Sequence, residues 1–201
     1  MSKKERMQNL IVIGHPDEGS FCYNGIYRTL KKTLLNTPGY LNEVECIELY
    51  SDSFARPRTD LIEKYKELVK WADRIYFISP VWWFRLTPRM EIFFDEVFAP
   101  GFAYEFVNIT KLYAYPKPFL KNKKVRTYVT HGAPAIPVLT LYLNSVKLRL
   151  VMGVYTFVFG WRLSLFTKTR QFWSVPFVSQ EKREKYLKTV EKDIKNDIAY
   201  D

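Results

Sequence analysis

The sequence predicts an α/β fold: a doubly wound, five-stranded parallel sheet of order 2-1-3-4-5 with helices on both faces. Two observations carry that prediction. Short apolar runs rich in β-formers alternate with helical-period segments five times along the 201 residues, the pattern of a parallel sheet covered on both sides. Three of the runs end in loops of unusual composition, at 15–22, 80–84 and 130–134. In a sheet of this order the first, third and fourth strands are neighbours at the switch point, where open α/β sheets bind ligands. No linker, repeat or low-complexity stretch divides the chain, so residues 1–201 read as one domain. That length is enough for a good core.

The elements follow in order. Gln8–Gly14 (QNLIVIG) is a central strand, apolar on both faces. It runs into His15-Pro16-Asp17-Glu18-Gly19, and Ser20 is a plausible N-cap for the helix marked by Ile26, Leu30, Leu34 and Leu35. Asn36-Thr-Pro-Gly39 ends that helix. Val44–Leu49 alternates as a half-buried second strand, and Asp60–Trp71 fits a helix with Leu61, Tyr65, Leu68 and Val69 inward. Ile75–Ile78 is the third strand, closed by Pro80, which has no N–H for a ladder. Met90, Phe93, Phe94, Val97 and Phe98 then recur at helical spacing. Residues 108–124 read as an irregular, basic, Tyr/Pro-rich connection before the fourth strand, Val125–Thr130. Ile136–Phe159 reads as one long buried or interface helix stopped by Gly160. Trp161–Trp173 alternates as a fifth strand with its extension, and Ser179–Ile198 is the closing amphipathic helix.

Composition narrows the class. Hydrophobic residues at 47% and charged residues at 26% are those of an ordinary globular protein. Aromatic content is high at 17%, which suits a large core, a subunit interface or a ring-binding pocket. Cys22 and Cys46 stand in no metal or redox spacing, so no metal site is expected. The start, Met1–Arg6, is charged, and the next apolar run, Leu10–Ile13, is too short for a signal peptide. The longest apolar run, Leu150–Trp161, is too short to span a bilayer. The expected location is the cytoplasm. The net charge is +10, and residues 106–180 carry eleven Lys/Arg and no Asp or Glu. The remainder, 31 − 11 = 20 basic against 21 acidic residues, is near neutral. A basic half suits nucleic acid, an anionic membrane, a phosphorylated cofactor or simple solvation. No sequence signature of a nucleic-acid module is present, so none is expected to bind.

The first strand–loop–helix places a helix N-terminus, with its free N–H groups and positive dipole end, at the sheet rim. It is neither a Walker loop nor G-x-G-x-x-G. His15 there is either a loop-packing imidazole or a donor beside a ligand. The third strand ends in Pro80-Val81-Trp82-Trp83-Phe84, aromatic residues in a turn that normally holds small or polar ones. Flat side chains there suit a flat ligand. His131-Gly132-Ala133-Pro134 ends the fourth strand, and small residues let a ligand approach the backbone.

Three anchors resemble one family. They are His15-Pro16 with Ser20-Phe21, then Pro80–Phe84 leading into Phe94-Asp95-Glu96-Val97-Phe98 and Gly101-Phe102-Ala103-Tyr104, and Thr130-His131-Gly132. Over nearly its whole length the chain resembles the flavodoxin-like NAD(P)H:quinone oxidoreductases. The resemblance implies a non-covalent flavin, FMN or alternatively FAD, with NAD(P)H as co-substrate. By that resemblance His15, Ser20, Phe21 and Cys22 wrap the flavin phosphate, Cys22 standing where the family usually has Asn. Pro80, Val81, Trp82, Trp83 and Phe84 line the isoalloxazine, as do Thr130, His131, Gly132 and Ala133. Tyr104 and Phe106 match aromatics that cover the substrate pocket of the other subunit in a homodimer. His131 is the one candidate catalytic side chain, with a plain loop hydrogen bond as its alternative. The Tyr and His that mammalian quinone reductase adds beyond this loop have no counterpart, Val138 falling at the Tyr position.

The function implied is transfer of a hydride from NAD(P)H, through the flavin, to a small acceptor: a quinone, nitro or azo compound. A shared slot would give ping-pong kinetics. A second reading is a regulatory flavoprotein docking on a membrane transporter, such as a potassium efflux system, through the basic surface of 106–180. A third is a flavodoxin-type electron carrier, which the aromatic cover and basic charge disfavour.

Overall fold

The structure, a computed structural model, describes residues 6–37 and 41–200. Along the chain, β1 (Arg6–Ile13) leads through a π-helical turn (Phe21–Tyr27) into α1 (Arg28–Asn36). Then come β2 (Leu41–Glu48), α2 (Thr59–Trp71), β3 (Arg74–Pro80) and α3 (Pro88–Val97). A hairpin of β4 (Tyr104–Thr110) and β5 (Tyr113–Pro118) precedes β6 (Lys124–Thr130). The chain continues through α4 (Ala135–Leu139), α5 (Ser145–Leu148), a π-helical stretch (Arg149–Tyr155), α6 (Thr156–Phe159) and α7 (Leu163–Thr167). It closes with β7 (Thr169–Phe172) and α8 (Gln180–Ala199). The helix stop read at Pro38-Gly39 lies outside the described residues.

Five strands pair in parallel in the order β2-β1-β3-β6-β7. With the hairpin set aside, this is the order 2-1-3-4-5 read from the sequence. Every residue of β3 is buried, the consequence of helices on both faces and the reason its sequence is a continuous apolar run. The register sets Ile13 opposite Ile78 and Pro80 opposite Thr130, so β3 and β6 end level with each other, two residues beyond β1, and all three loops leave the same edge of the sheet.

Two cores flank the sheet. On one side, α2, α3 and the 145–159 helix pack around Phe77, whose ring lies 5.4 Å from Phe94, 5.7 Å from Tyr155, 6.1 Å from Phe93 and 6.2 Å from Phe98. Much of the aromatic content is therefore core. On the other side, α1 and α8 cover Ile11, Ile13, Tyr76, Ile78 and Tyr128.

Three expectations need correction. The connection read as irregular contains the antiparallel β4–β5 hairpin. Pro116 and Pro118 disguised it, yet a two-stranded ribbon leaves outward N–H groups that a proline can replace without cost. The single helix read over 136–159 is broken at 140–144, where Leu143 and Asn144 take φ of +48° and +52°. Asn144 N–H donates to the Val138 carbonyl at 2.8 Å and closes the break. The chain is then helical from Ser145 to Phe159, and Gly160 stops it at φ +75°. Third, Leu163–Thr167, read as strand, is helix α7; its alternation follows from Leu165 alone being buried against the core. Only Thr169–Phe172 pairs with β6.

Five cations of the basic stretch 106–180 pair with acids outside it. Lys117 pairs with Glu105 at 2.8 Å and Arg149 with Glu91. Arg126 donates to Asp197 at 2.5 and 2.8 Å and lies 3.2 Å from Asp193. Arg170 holds Asp193 at 2.5 Å, and Lys168 reaches Asp197 at 2.8 Å. Burial works to raise the Asp197 carboxyl, but Arg126 and Lys168 outweigh it and hold it below the usual carboxylate range.

Candidate functional site

The first loop leaves β1 at Gly14, whose N–H donates to the Ile78 carbonyl at 2.9 Å. A Cβ here would stand 2.8 Å from Thr87 Oγ1 and 3.1 Å from Met90 Cβ, so the close approach of α3 requires glycine. Thr87 Oγ1 donates to the Gly14 carbonyl at 2.9 Å. His15 Nδ1 accepts the Asp17 N–H at 3.0 Å, which leaves Nε2 as the protonated nitrogen of a neutral ring. Burial lowers the His15 pKa against the raising pull of Asp17. Asp17 Oδ1 accepts the Gly19 N–H at 2.7 Å, and Ser20 Oγ caps Tyr23 N–H at 3.3 Å. Phe21 and Cys22 then open the helical segment, where N–H groups have no partner from a preceding turn.

The second loop continues the ladder with Val81 N–H donating to the Thr130 carbonyl at 2.8 Å. Trp82 and Arg85 exchange N–H to carbonyl bonds at 2.8 and 3.1 Å, closing a two-residue turn. Its central residues, Trp83 and Phe84, have φ of +50° and +58°. Such a turn normally takes Asn or Gly, and bulky residues there are strained by about 1–3 kcal/mol each. Phe84 packs on Tyr142 at 4.4 Å, whereas Trp83 is 93% exposed. A strained backbone that projects an indole into solvent is the strongest local sign of a binding role.

The third loop holds Thr130 buried and Gly132, Ala133 and Pro134 exposed. A Cβ at Gly132 would meet nothing within 4 Å, so space lies open above this backbone. His131 turns away from that space. Its imidazole is 3% exposed, its Nε2–H donates to Gln171 Oε1 at 3.0 Å, and it stacks on Trp173 at 4.3 Å and 29°. Burial pushes its pKa down to about 4, against the raising effect of Gln171, so the ring is neutral at pH 7.

The loops touch one another. His15 and Trp82 meet edge-on at 6.1 Å, joining the first and second. Cys22 Sγ lies 3.2 Å from Thr130 Oγ1, joining the first and third, and burial pushes the Cys22 thiol up to about 12. Ring contacts of Tyr104 and Phe106 among the described residues are with each other, at 5.4 Å, and with Phe157, at 5.9 and 6.4 Å. Tyr104 and Phe157 border a cavity of about 210 Å³ with Phe94, Phe98 and Gly153. Within one chain these two aromatics sit on the α3 side. Sequence reasoning missed Thr87, Tyr142, Gln171 and Trp173, which hold the loops from positions distant along the chain. Among the described residues no group of three or more His, Cys, Asp or Glu is placed to hold a metal ion. No helix among them is long and apolar enough to cross a membrane.

Residues 7–140 match the family described as flavodoxin-like fold. The chain belongs to the flavodoxin-like fold family. No curated protein matches it. Among solved structures, this flavodoxin-like chain is similar to Smu.1420 from Streptococcus mutans, with TM-score 0.75 and 23% identity over 94% of this chain and 100% of that one. It is similar to the NAD(P)H:quinone oxidoreductase of Methanothermobacter marburgensis, with TM-score 0.71 and 18% identity over 94% and 96%. It is similar to an FMN-dependent NADH-azoreductase from Bacillus anthracis in complex with FMN, with TM-score 0.72 and 13% identity over 94% and 98%. At these identities the likeness is one of fold.

The residues present fit a flavin. The helix start at Phe21 and Cys22 offers N–H donors to a phosphate. The space above Gly132 and the unpacked face of Trp83 accommodate a planar ring. No lysine or arginine lies in residues 14–22, so from this loop the phosphate would meet N–H and hydroxyl donors.

Proposed function

We propose that this flavodoxin-like protein is a flavin-dependent NAD(P)H oxidoreductase acting on a quinone, nitro or azo compound. The observation that carries the reading is the meeting of three loops, from adjacent strands β1, β3 and β6, at one rim of the sheet. FMN is the favoured flavin; FAD is the alternative. His15, Ser20, Phe21 and Cys22 would hold the phosphate, and Pro80, Val81, Trp82, Trp83 and Phe84, with Thr130, His131, Gly132 and Ala133, the ring. The flavin, when bound, supplies hydride acceptance and donation. The chain's own work is to orient and enclose. Backbone N–H groups of Gly132 and Ala133 would face negative charge at the polar ring edge. His131, neutral and engaged with Gln171, acts through that backbone as a positioning residue rather than as a proton donor. NAD(P)H and the acceptor use one slot in turn, which gives ping-pong kinetics. Tyr104 and Phe106 cover the slot of a second subunit in a homodimer.

The transporter-docking alternative drew on the charge of 106–180. Lys117, Arg126, Arg149, Lys168 and Arg170 pair with acids outside the segment and are not free to meet a partner's acids, which favours the enzyme. The test is the visible spectrum of the purified protein, reconstituted with FMN and then FAD, followed by NAD(P)H consumption with a simple quinone. A flavin spectrum with parallel-line kinetics supports the reading. A colourless protein with no affinity for either flavin overturns it, and a flavoprotein that barely turns over favours the regulator.

A further inference from the structure

A net charge of +10 must face solvent somewhere, and the structure gathers part of it on a surface that the sequence alone does not single out. Helices α1 and α8 lie side by side over one sheet face. The α8 segment carries six Lys/Arg and five Asp/Glu. Two of those acids, Asp193 and Asp197, are buried and turn inward to Arg126, Lys168 and Arg170. Five of the six cations, Lys182, Lys185, Lys188, Lys192 and Lys195, are exposed beside Glu181, Glu184 and Glu191, while Arg183 is half-buried and donates to the Val175 carbonyl at 3.1 Å. Lys188, Lys192 and Lys195 recur at i, i+4 and i+7, one exposed stripe. The neighbouring α1 adds Arg28, Lys31 and Lys32 and no acid.

Between the helices lies a cleft of about 400 Å³ bordered by Lys32, Thr33, Asn36, Thr37, Glu191 and Lys195, ammonium, hydroxyl and amide donors around one carboxylate. Leu35, 57% exposed, and Tyr200, 87% exposed, end the two helices.

We infer that the α1–α8 face docks on an anionic lipid bilayer. A broad two-helix surface with cations along both helices matches a plane of phosphate headgroups. The cleft suits a headgroup phosphate, and Leu35 and Tyr200 can seat at the acyl boundary. The face carries no element shaped to enter a nucleic-acid groove and none of the modules that read bases. Docking this way leaves the three-loop rim and the other sheet face free. It holds whether or not a flavin is bound.

The test is co-sedimentation of the full chain with vesicles of phosphatidylcholine alone or with about 30 mol% phosphatidylglycerol. At roughly 50 mM salt the anionic vesicles should take up about tenfold more protein than the neutral ones, and roughly 0.5 M salt should abolish the difference. Two variants, K188E/K192E/K195E and K31E/K32E, should each lower that uptake about tenfold with circular dichroism unchanged. K111E/K121E, exposed cations outside the face, should leave it as it was. Equal uptake on neutral vesicles overturns the proposal, as does loss in K111E/K121E alone. Release by duplex DNA at equal phosphate concentration would make the face a nucleic-acid surface and overturn it as well.

Discussion

Trp83 stands at φ +50° with its ring 93% exposed, a conformation and an exposure that folding alone does not favour. Trp83→Gly should therefore keep or raise stability, by up to about 1 kcal/mol, while flavin retention falls at least about tenfold. Trp71→Ala, on the scaffold, should leave flavin content unchanged; melting curves and released flavin in the two variants check both halves. His131 makes the opposite kind of contribution. Its folded pKa of about 4 lies below the unfolded value, so the unfolded chain binds the extra proton between about pH 6.5 and 4. Stability is full above that window and falls as pH drops through it, by about 3 kcal/mol in all. His131→Gln should flatten that slope, read as urea midpoints at pH 7, 5.5 and 4.5. The three loops were legible because each lies where an apolar run stops. Gln171 and Trp173 were not, because their contact with His131 runs across the β6–β7 pair and leaves no local pattern.

The central strands were the most readable elements, because burial on both faces makes Leu10–Ile13 of β1 and Ile75–Ile78 of β3 continuous apolar runs. Elements whose form depends on distant packing were not. The turn at Leu143-Asn144 has only one residue tolerant of the left-handed region, and α7 imitates a strand because a short helix buries too few residues to show its period. Helix α8 was read correctly as amphipathic, yet its inward face includes Asp193 and Asp197, which no hydrophobic pattern anticipates. These aspartates bolt α8 to β6 and β7. Asp197→Asn should leave Arg126 buried with half its compensation and destabilise the protein by about 3–5 kcal/mol, measured by urea unfolding at pH 7. Removing both partners, Asp197→Leu with Arg126→Met, should recover much of that loss, since the pair's desolvation cost disappears with it.

At the scale of the whole molecule, the two sheet faces have different exteriors. The α1–α8 side is charged. The opposite side continues into a two-stranded hairpin, and such ribbons are marginal in water unless packed. Here Tyr104 and Phe106 anchor the hairpin base on Phe157, while Val107, Ile109 and Leu112 are 43, 62 and 99% exposed. Leu148 and Met152, on the 145–159 helix, are exposed too, at 40 and 48%. Apolar exposure spread over several elements is the mark of a surface that another copy covers. A homodimer formed there would bury the hairpin and let Tyr104 and Phe106 reach the partner's rim, which they do not approach within their own chain. Light scattering should therefore give twice the mass of one chain. Ile109→Glu with Leu112→Glu, placed at the hairpin tip away from all three loops, should give a folded monomer. If Tyr104 and Phe106 act across the dimer, that monomer should still bind flavin but lose at least about tenfold in kcat/KM for the acceptor. A monomeric variant with unchanged kcat/KM would mean that each chain completes its own slot.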